Sequence, residues 1–225
     1  MTIWTLSPSD LTFLWNECPR CFYLKVTKKF KRPPTPFPKI FGRIDQLMKD
    51  HFLGKSTSSI SPELPEGVVK FSEKWVKSQP ITLPGYKHGC QIRGKFDTII
   101  QFDDSSYAVI DFKTSQPRPS HVDFYSHQLH AYAHALENPD SGSFGLSPIS
   151  KLGLVVVEPY TMNRLESDSL AYVGKMTWLE CPLNDDGFLK FIDQVLDLLE
   201  GNSPPEPAEK CGYCQYRKAA RETGF

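Results

Sequence analysis

The chain has 225 residues, 40% of them hydrophobic, with 26 basic and 26 acidic side chains. That length fits one large domain or a domain with an inserted lobe, and no apolar run approaches the roughly 18 residues that a membrane span needs. A formal net charge of zero argues against a non-specific nucleic-acid coat, but not against an enzyme with an acidic metal site and a local basic path.

The start, Met1-Thr2-Ile3-Trp4, carries no basic n-region, so the expected address is the cytoplasm. In that compartment the six cysteines read as metal ligands or buried thiols rather than disulfides. Ser7-Pro8-Ser9-Asp10 predicts a helix start, with Ser7 as cap and Pro8 in the first position. Leu11, Leu14, Trp15 and Cys18 then recur at helical spacing. Pro19 interrupts, and Cys21 to Leu24 begins a second helical piece. Lys25, Lys28, Lys29, Lys31 and Arg32, with Phe30 among them, form a dense basic cluster. It is either a solvated surface run or a phosphate contact. Arg32 to Pro38 holds four prolines and reads as an extended linker.

Phe41 to Phe52 predicts a helix, 54 to 66 a Ser- and Pro-rich loop, and Val69 to Val76 a short helix. Gln91 to Phe102 is rich in β-branched and aromatic residues and predicts a strand. Asp103-Asp104-Ser105-Ser106 is a turn signal, and Tyr107 to Lys113 a second strand. Alternation puts Val109, Asp111 and Lys113 on one face and Ile110 and Phe112 on the other. Pairing sets whether Asp97 joins Asp111. A four-residue loop puts the two acids on opposite faces, whereas Phe102 paired with Ser106 sets Asp97 opposite Asp111. A three- or five-residue loop, or a bulge, is therefore expected if the acids act together.

Val122 to Glu137 predicts a helix with Tyr125, Gln128, Leu129, Tyr132 and Leu136 on one face. His127, His130 and His134 fall on the other and read as a solvated stripe, because no acidic ladder accompanies them. Leu152 to Val157 is a near-continuous apolar run, as in a central buried strand, and is expected beside the hairpin. Lys175 to Cys181 suggests a further strand. Phe188 to Leu199 is an amphipathic helix closed by Gly201. The expected class is α/β, a mixed central β-sheet flanked by helices in one domain over 1–225.

Cys18-Pro19-Arg20-Cys21 and Cys211-Gly212-Tyr213-Cys214 are two Cys-x-x-Cys pairs at opposite ends of the chain. Such pairs suit a four-thiolate site for Zn²⁺ or an iron–sulfur cluster. It would join the N-terminal segment 7–32 to the C-terminal segment 204–217. Cys90 and Cys181 have no cysteine neighbour and read as buried thiols.

Asp97 followed by Asp111-Phe112-Lys113 resembles the PD-(D/E)XK nuclease superfamily. Gln128 and Tyr132 match the Gln-x-x-x-Tyr motif of its RecB-type exonuclease branch, and Cys18, Cys211 and Cys214 match that branch's iron–sulfur cysteines. The resemblance spans roughly 7 to 217. It implies Mg²⁺ or Mn²⁺ on Asp97, Asp111 and the Phe112 carbonyl, with Lys113 acting on the water and the phosphate charge. Gln128 and Tyr132 would orient the lysine, the water or the DNA backbone. The implied activity is hydrolysis of DNA phosphodiesters, as an exonuclease on single strands or ends. The alternative is an inactive binding or assembly subunit that keeps the fold. The branch also carries a histidine shortly after a glycine. Gly42 is followed by Arg43, Ile44, Asp45 and Gln46 instead, so Asp45 is the candidate substitute ligand and Gln46 the other occupant of that slot. For the cysteines the resemblance favours [4Fe–4S] over zinc. The branch's third downstream slot is Ala220 here, so Cys21 reads as a ligand exchanged between the two ends. Without the resemblance, Asp111 with Lys113 reads first as a surface ion pair on an edge strand, and Gln128 with Tyr132 as core packing.

Overall fold

The computed structural model describes residues 1–166 and 168–224. Strand β1 (Ile3–Leu6) leads into a π-helical turn (Asp10–Leu14) and a short helix α1 (Trp15–Glu17). The break foreseen at Pro19 falls at Cys18, whose extended backbone (φ −164°) separates α1 from α2 (Pro19–Lys28). After the proline linker come α3 (Lys39–Phe52), β2 (Gly67–Ser72), β3 (Trp75–Lys77), β4 (Gly89–Lys95), β5 (Thr98–Phe102) and β6 (Tyr107–Thr114). Then follow α4 (Ser120–Glu137), β7 (Ile149–Glu166), β8 (Ser169–Cys181), α5 (Asp185–Glu200) and α6 (Gly212–Glu222).

The fold is mixed α/β. A five-stranded sheet runs β2-β5-β6-β7-β8, and a smaller sheet runs β1-β4-β3. β6 and β7 are parallel and are joined through α4, a crossover that a parallel pair requires. The apolar run Leu152–Val157 thus lies beside the hairpin, as expected, buried on both faces. Leu152, Leu154 and Val156 meet the core that includes Leu129 and Leu136 of α4, while Val155 joins the opposite core with Phe52, Ile110 and Phe112. Gly153 is glycine for a steric reason. A Cβ there would lie 2.1 Å from the Trp178 ring on β8.

Two readings change, one of a helix and one of a strand. Residues 69–76 form no helix: Val69 and Val76 belong to β2 and β3, which Glu73 separates in a left-handed conformation (φ 52°). Likewise 91–102 is not one strand but β4 and β5, parted at Phe96-Asp97. The two breaks are one feature. β2 pairs with β5 and β3 with β4, so 67–77 and 89–102 make a single antiparallel ribbon folded over from the large sheet into the small one. The fold is fastened by Glu73 N–H to the Asp97 carbonyl, 3.0 Å, and Phe96 N–H to the Lys74 carbonyl, 3.2 Å. A bent strand changes which face is buried partway along, and that mimics a helical apolar spacing.

The histidine stripe is also corrected. His130 is buried, with Nδ1 2.8 Å from the Ser126 carbonyl and Nε2 accepting from Asn184 N–H at 2.9 Å. His127 stacks on Phe191 at 3.5 Å between ring centroids, and His134 lies against Phe188. The apolar face of α5 needs a partner, and neutral imidazoles provide a flat one. Burial holds the pKa of both His127 and His134 below the ordinary range.

Candidate active site and thiolate cluster

The β5–β6 turn decides whether the acids meet. Phe102 N–H donates to the Ser106 carbonyl (2.9 Å), Ser105 N–H to the Phe102 carbonyl (3.0 Å), and Ser105 is left-handed (φ 69°). This is a three-residue loop with its last residue in αL. The register follows, Gln101 opposite Tyr107 through Thr98 opposite Ile110, and one step further sets Asp97 across from Asp111. The acids share a face, the one that α4 covers.

A cleft of about 550 Å³ opens over them, lined by Asp45, Asp97, Asp111, Phe112, Lys113, Gln128 and Tyr132, with Phe13, Phe37 and Phe41 on its walls. Asp97 Oδ2 accepts from the Phe112 N–H at 3.2 Å. Asp111 Oδ1 accepts from Gln128 Nε2 at 3.0 Å, and Oδ2 forms an ion pair with Lys113. Gln128 Oε1 is buried with no hydrogen-bond partner among the described residues. Burial, with Asp97 adding to it, raises the Asp111 pKa to about 7, against the opposing pull of Lys113. Burial works against the Lys113 charge too, yet Asp111 holds its pKa above the ordinary lysine value. The ammonium also lies 4.5 Å from the centre of the Tyr125 ring. It is therefore a cation across the working pH range.

Gln128 and Tyr132, one turn apart on α4, both reach the cleft, but only Gln128 touches an acid. The Tyr132 hydroxyl donates to the Lys95 carbonyl at 2.8 Å. Its ring lies against Gly94, where a Cβ would come within 3.0 Å of it. Tyr132 thus holds the end of β4, next to the bend that carries Asp97.

Asp45 lies in the cleft wall, but not bare. Its Oδ2 is 2.7 Å from Lys49 Nζ, and that ammonium also reaches Glu73 Oε1 at 3.0 Å and Asp97 Oδ1 at 2.9 Å. A lysine stands between Asp45 and Asp97, so Asp45 meets the acid pair through a cation of the chain. Burial raises the Asp45 pKa although Lys49 opposes it. Gln46 is occupied elsewhere, donating to Asp50 Oδ1 at 2.8 Å. Lys49 and Glu73 were not singled out from sequence. The available signal was Lys49 one helical turn after Asp45, the spacing of an ion pair. Nothing local marks Glu73, which arrives through the ribbon fold. Glu73 also pairs with Lys95 Nζ at 2.9 Å, which holds its pKa below the usual value.

The sulfurs of Cys18, Cys21, Cys211 and Cys214 all lie within 4.8 Å of one another, an arrangement compatible with a metal site. Cys18 and Cys211 cap α2 and α6. Arg32 Nη2 donates to Cys211 Sγ at 3.2 Å, and Arg32 Nη1 pairs with Glu17 at 2.6 Å. Lys25 is bound to Asp10 at 2.6 Å, so part of the basic cluster is committed to the fold. Cys90 and Cys181 are buried and free, and burial pushes the Cys90 thiol up to about 12. No helix among the described residues is long and apolar enough to cross a membrane.

The sequence model of the PD-(D/E)XK nuclease superfamily matches residues 44–219. No curated protein sequence matches the chain. Among solved structures, the crystal structure of SSO0001 is similar, with a TM-score of 0.50 at 17% identity, covering 95% of this chain and 84% of that one. At that identity the likeness speaks for the fold alone.

Proposed function

The chain belongs to the PD-(D/E)XK nuclease superfamily, and from that premise we propose that it is a divalent-metal-dependent deoxyribonuclease of the RecB-type branch, an exonuclease on single-stranded DNA or DNA ends. The observation that carries the reading is the meeting of Asp97, Asp111 and Lys113 on one face beneath a common cleft. The donor set fits a hard divalent cation such as Mg²⁺ or Mn²⁺. Four carboxylates (Asp45, Glu73, Asp97, Asp111) are linked to three ammonium groups (Lys49, Lys95, Lys113), which leaves one negative charge uncompensated.

Asp97, Asp111 and the Phe112 carbonyl would hold the ion, with Asp45 on the neighbouring wall. When bound, such an ion neutralises phosphate charge and makes water a better nucleophile. The remaining work falls to the chain. Lys113, held as an ammonium, would stabilise the charge that builds on the phosphate oxygens. Gln128 would fix the Asp111 carboxylate. Phe13, Phe37 and Phe41 are 45%, 72% and 41% exposed at the cleft. Open aromatic faces there suit stacked, unpaired bases, which supports a single-stranded substrate. We place the activity in a cytoplasmic setting of nucleic-acid repair. The cysteine site, an iron–sulfur cluster by resemblance with zinc as the alternative, would be a structural clasp on one nuclease domain spanning the chain.

The test is cleavage of an end-labelled single-stranded oligodeoxynucleotide with Mn²⁺ or Mg²⁺, with EDTA as the control. Metal-dependent stepwise shortening from one end is expected. An intact oligonucleotide under all metal conditions would favour a second reading, a binding or assembly subunit that retains the fold. One observation favours that alternative: the Lys49 ammonium lies directly on Asp97, a cation already paired with a proposed metal ligand.

A further inference from the structure

The RecB-type resemblance implies a [4Fe–4S] cluster on the terminal cysteines, and the sulfurs do not fit one. Cys21 Sγ lies 3.6 Å from Cys214 Sγ and 3.8 Å from Cys211 Sγ, and Cys18 Sγ lies 3.9 Å from Cys214 Sγ. All four sulfurs fall within 4.8 Å of one another. In a cubane each cysteine binds a different iron at a corner of the cluster, so the four sulfurs stand about 6 Å apart or more. A single tetrahedral ion with metal–sulfur bonds of about 2.3 Å sets them about 3.8 Å apart. At the observed separations the sulfur surfaces touch. They enclose room for one ion and none for a four-iron core. A disulfide is excluded as well, since the shortest of these distances is well beyond the roughly 2 Å of an S–S bond.

From this geometry we infer that Cys18, Cys21, Cys211 and Cys214 form a mononuclear tetrathiolate site for Zn²⁺, in place of the iron–sulfur cluster. The surroundings suit such a site. Each Cys-x-x-Cys begins at a helix cap, Cys18 before α2 and Cys211 before α6, and returns its second sulfur from the first turn. Two helix N-termini therefore face the thiolates, where their partial positive charge offsets the excess negative charge of four sulfurs on a divalent ion. Arg32 adds a full positive charge through its contact with Cys211 Sγ. Cys18, Cys21 and Cys211 are buried and only Cys214 is partly open, and four protein sulfurs fill a tetrahedral shell with no position left for water, as in a structural zinc site and unlike a catalytic one. Zinc has no redox chemistry, so the joint between the chain's ends would carry no metal-centred redox, and oxidants would act on it only through the thiolates. This inference is independent of the nuclease reading, because it concerns a site that shares no residue with the cleft.

The test is elemental analysis and an absorption spectrum of the full chain, purified without oxygen from cells grown with ample iron. We expect about one zinc per chain, no visible chromophore, and no acid-labile sulfide. Exchange with Co²⁺ should give the intense ligand-field bands of a tetrahedral tetrathiolate. Cys21→Ser should lower the zinc content at least fivefold. Should that variant fail to fold, titrating the native protein with a mercurial should release one zinc for four thiols blocked. A brown protein with about four iron and four sulfide per chain would overturn the inference. So would a single iron without zinc, or a protein that neither holds zinc nor takes up Co²⁺.

Discussion

Lys49 Nζ lies 2.9 Å from Asp97 Oδ1, with the lysine side chain only 4% exposed. A buried ammonium is costly unless paired, and here Asp97, Asp45 and Glu73 pair it. Asp97 foremost outweighs the effect of burial and holds the Lys49 pKa above its ordinary value. Replacing it as Lys49→Met leaves Asp45 and Asp97 without an ion-pair partner, while Glu73 keeps Lys95. In EDTA the variant should lose about 3 kcal/mol, read from urea denaturation. Millimolar Mn²⁺ should recover more of that loss in the variant than it adds to the wild type, since the ion would then meet an unneutralised Asp97. An unchanged urea midpoint in EDTA would show that Lys49 is not the electrostatic keystone of this cluster.

Asp97→Ala and Lys113→Ala separate the metal from the chain's own charge. Each should slow cleavage by roughly 10²- to 10³-fold or more and leave the far-UV circular dichroism unchanged. Only Asp97→Ala should weaken Mn²⁺ binding measured by calorimetry. Wild-type rates from Lys113→Ala would remove Lys113 from the proposed site.

Asp111 makes the metal-free protein sensitive to pH. Its folded pKa, about 7, lies above the roughly 3.9 of an unfolded aspartate, so the folded state binds the proton more tightly. The stabilisation this brings is complete below about pH 4 and is lost as pH rises through about 7. In EDTA the thermal midpoint of the wild type should fall across that window relative to Asp111→Asn, which cannot ionise. Equal slopes for the two proteins would mean that Asp111 is already ionised in the metal-free fold.

The two residues of the Gln-x-x-x-Tyr motif should behave differently. Tyr132→Phe removes a hydrogen bond to a backbone carbonyl, so it should cost about 1 kcal/mol of stability and change the cleavage rate by less than about threefold. Gln128→Ala removes the donor to Asp111 Oδ1 and should slow cleavage about tenfold or more. The reverse order of effects on rate would give the tyrosine hydroxyl a role beyond β4.

Much of this was legible because it is local. The Asp111/Lys113 alternation is a property of any strand, and the turn chemistry of 103–106 left few registers open. Arithmetic tied the meeting of the acids to loop length, four residues parting them and three joining them, and the Phe102–Ser106 closure is the three-residue case. The α4 face of Gln128 and Tyr132 follows from helical spacing alone. What the sequence hid is what two distant segments make jointly. Glu73 reaches the acids only because the ribbon folds over at its own position and at Phe96-Asp97 together. No periodicity over 69–76 encodes a partner twenty residues away. Nothing local marks Lys49 as buried either, since its burial depends on that same fold. The histidines of α4 were misread for a related reason: their polarity was visible, while the aromatic face of α5 that covers them was not.

The link between Cys21 and Cys211 spans 190 positions, so with a metal in place the backbone is, in effect, a ring. Almost every strand and helix of the nuclease fold is strung between its two ligand pairs. Closing so long a loop narrows the denatured ensemble, and by the chain-entropy estimate used for cross-links this is worth about 5 kcal/mol. The clasp would therefore act chiefly on the unfolded protein. A chelator that empties it should leave the cleft's geometry intact while making the chain easier to unfold at every point along its length, and a backbone cut in the exposed 54–56 stretch should be tolerated only while the clasp is shut.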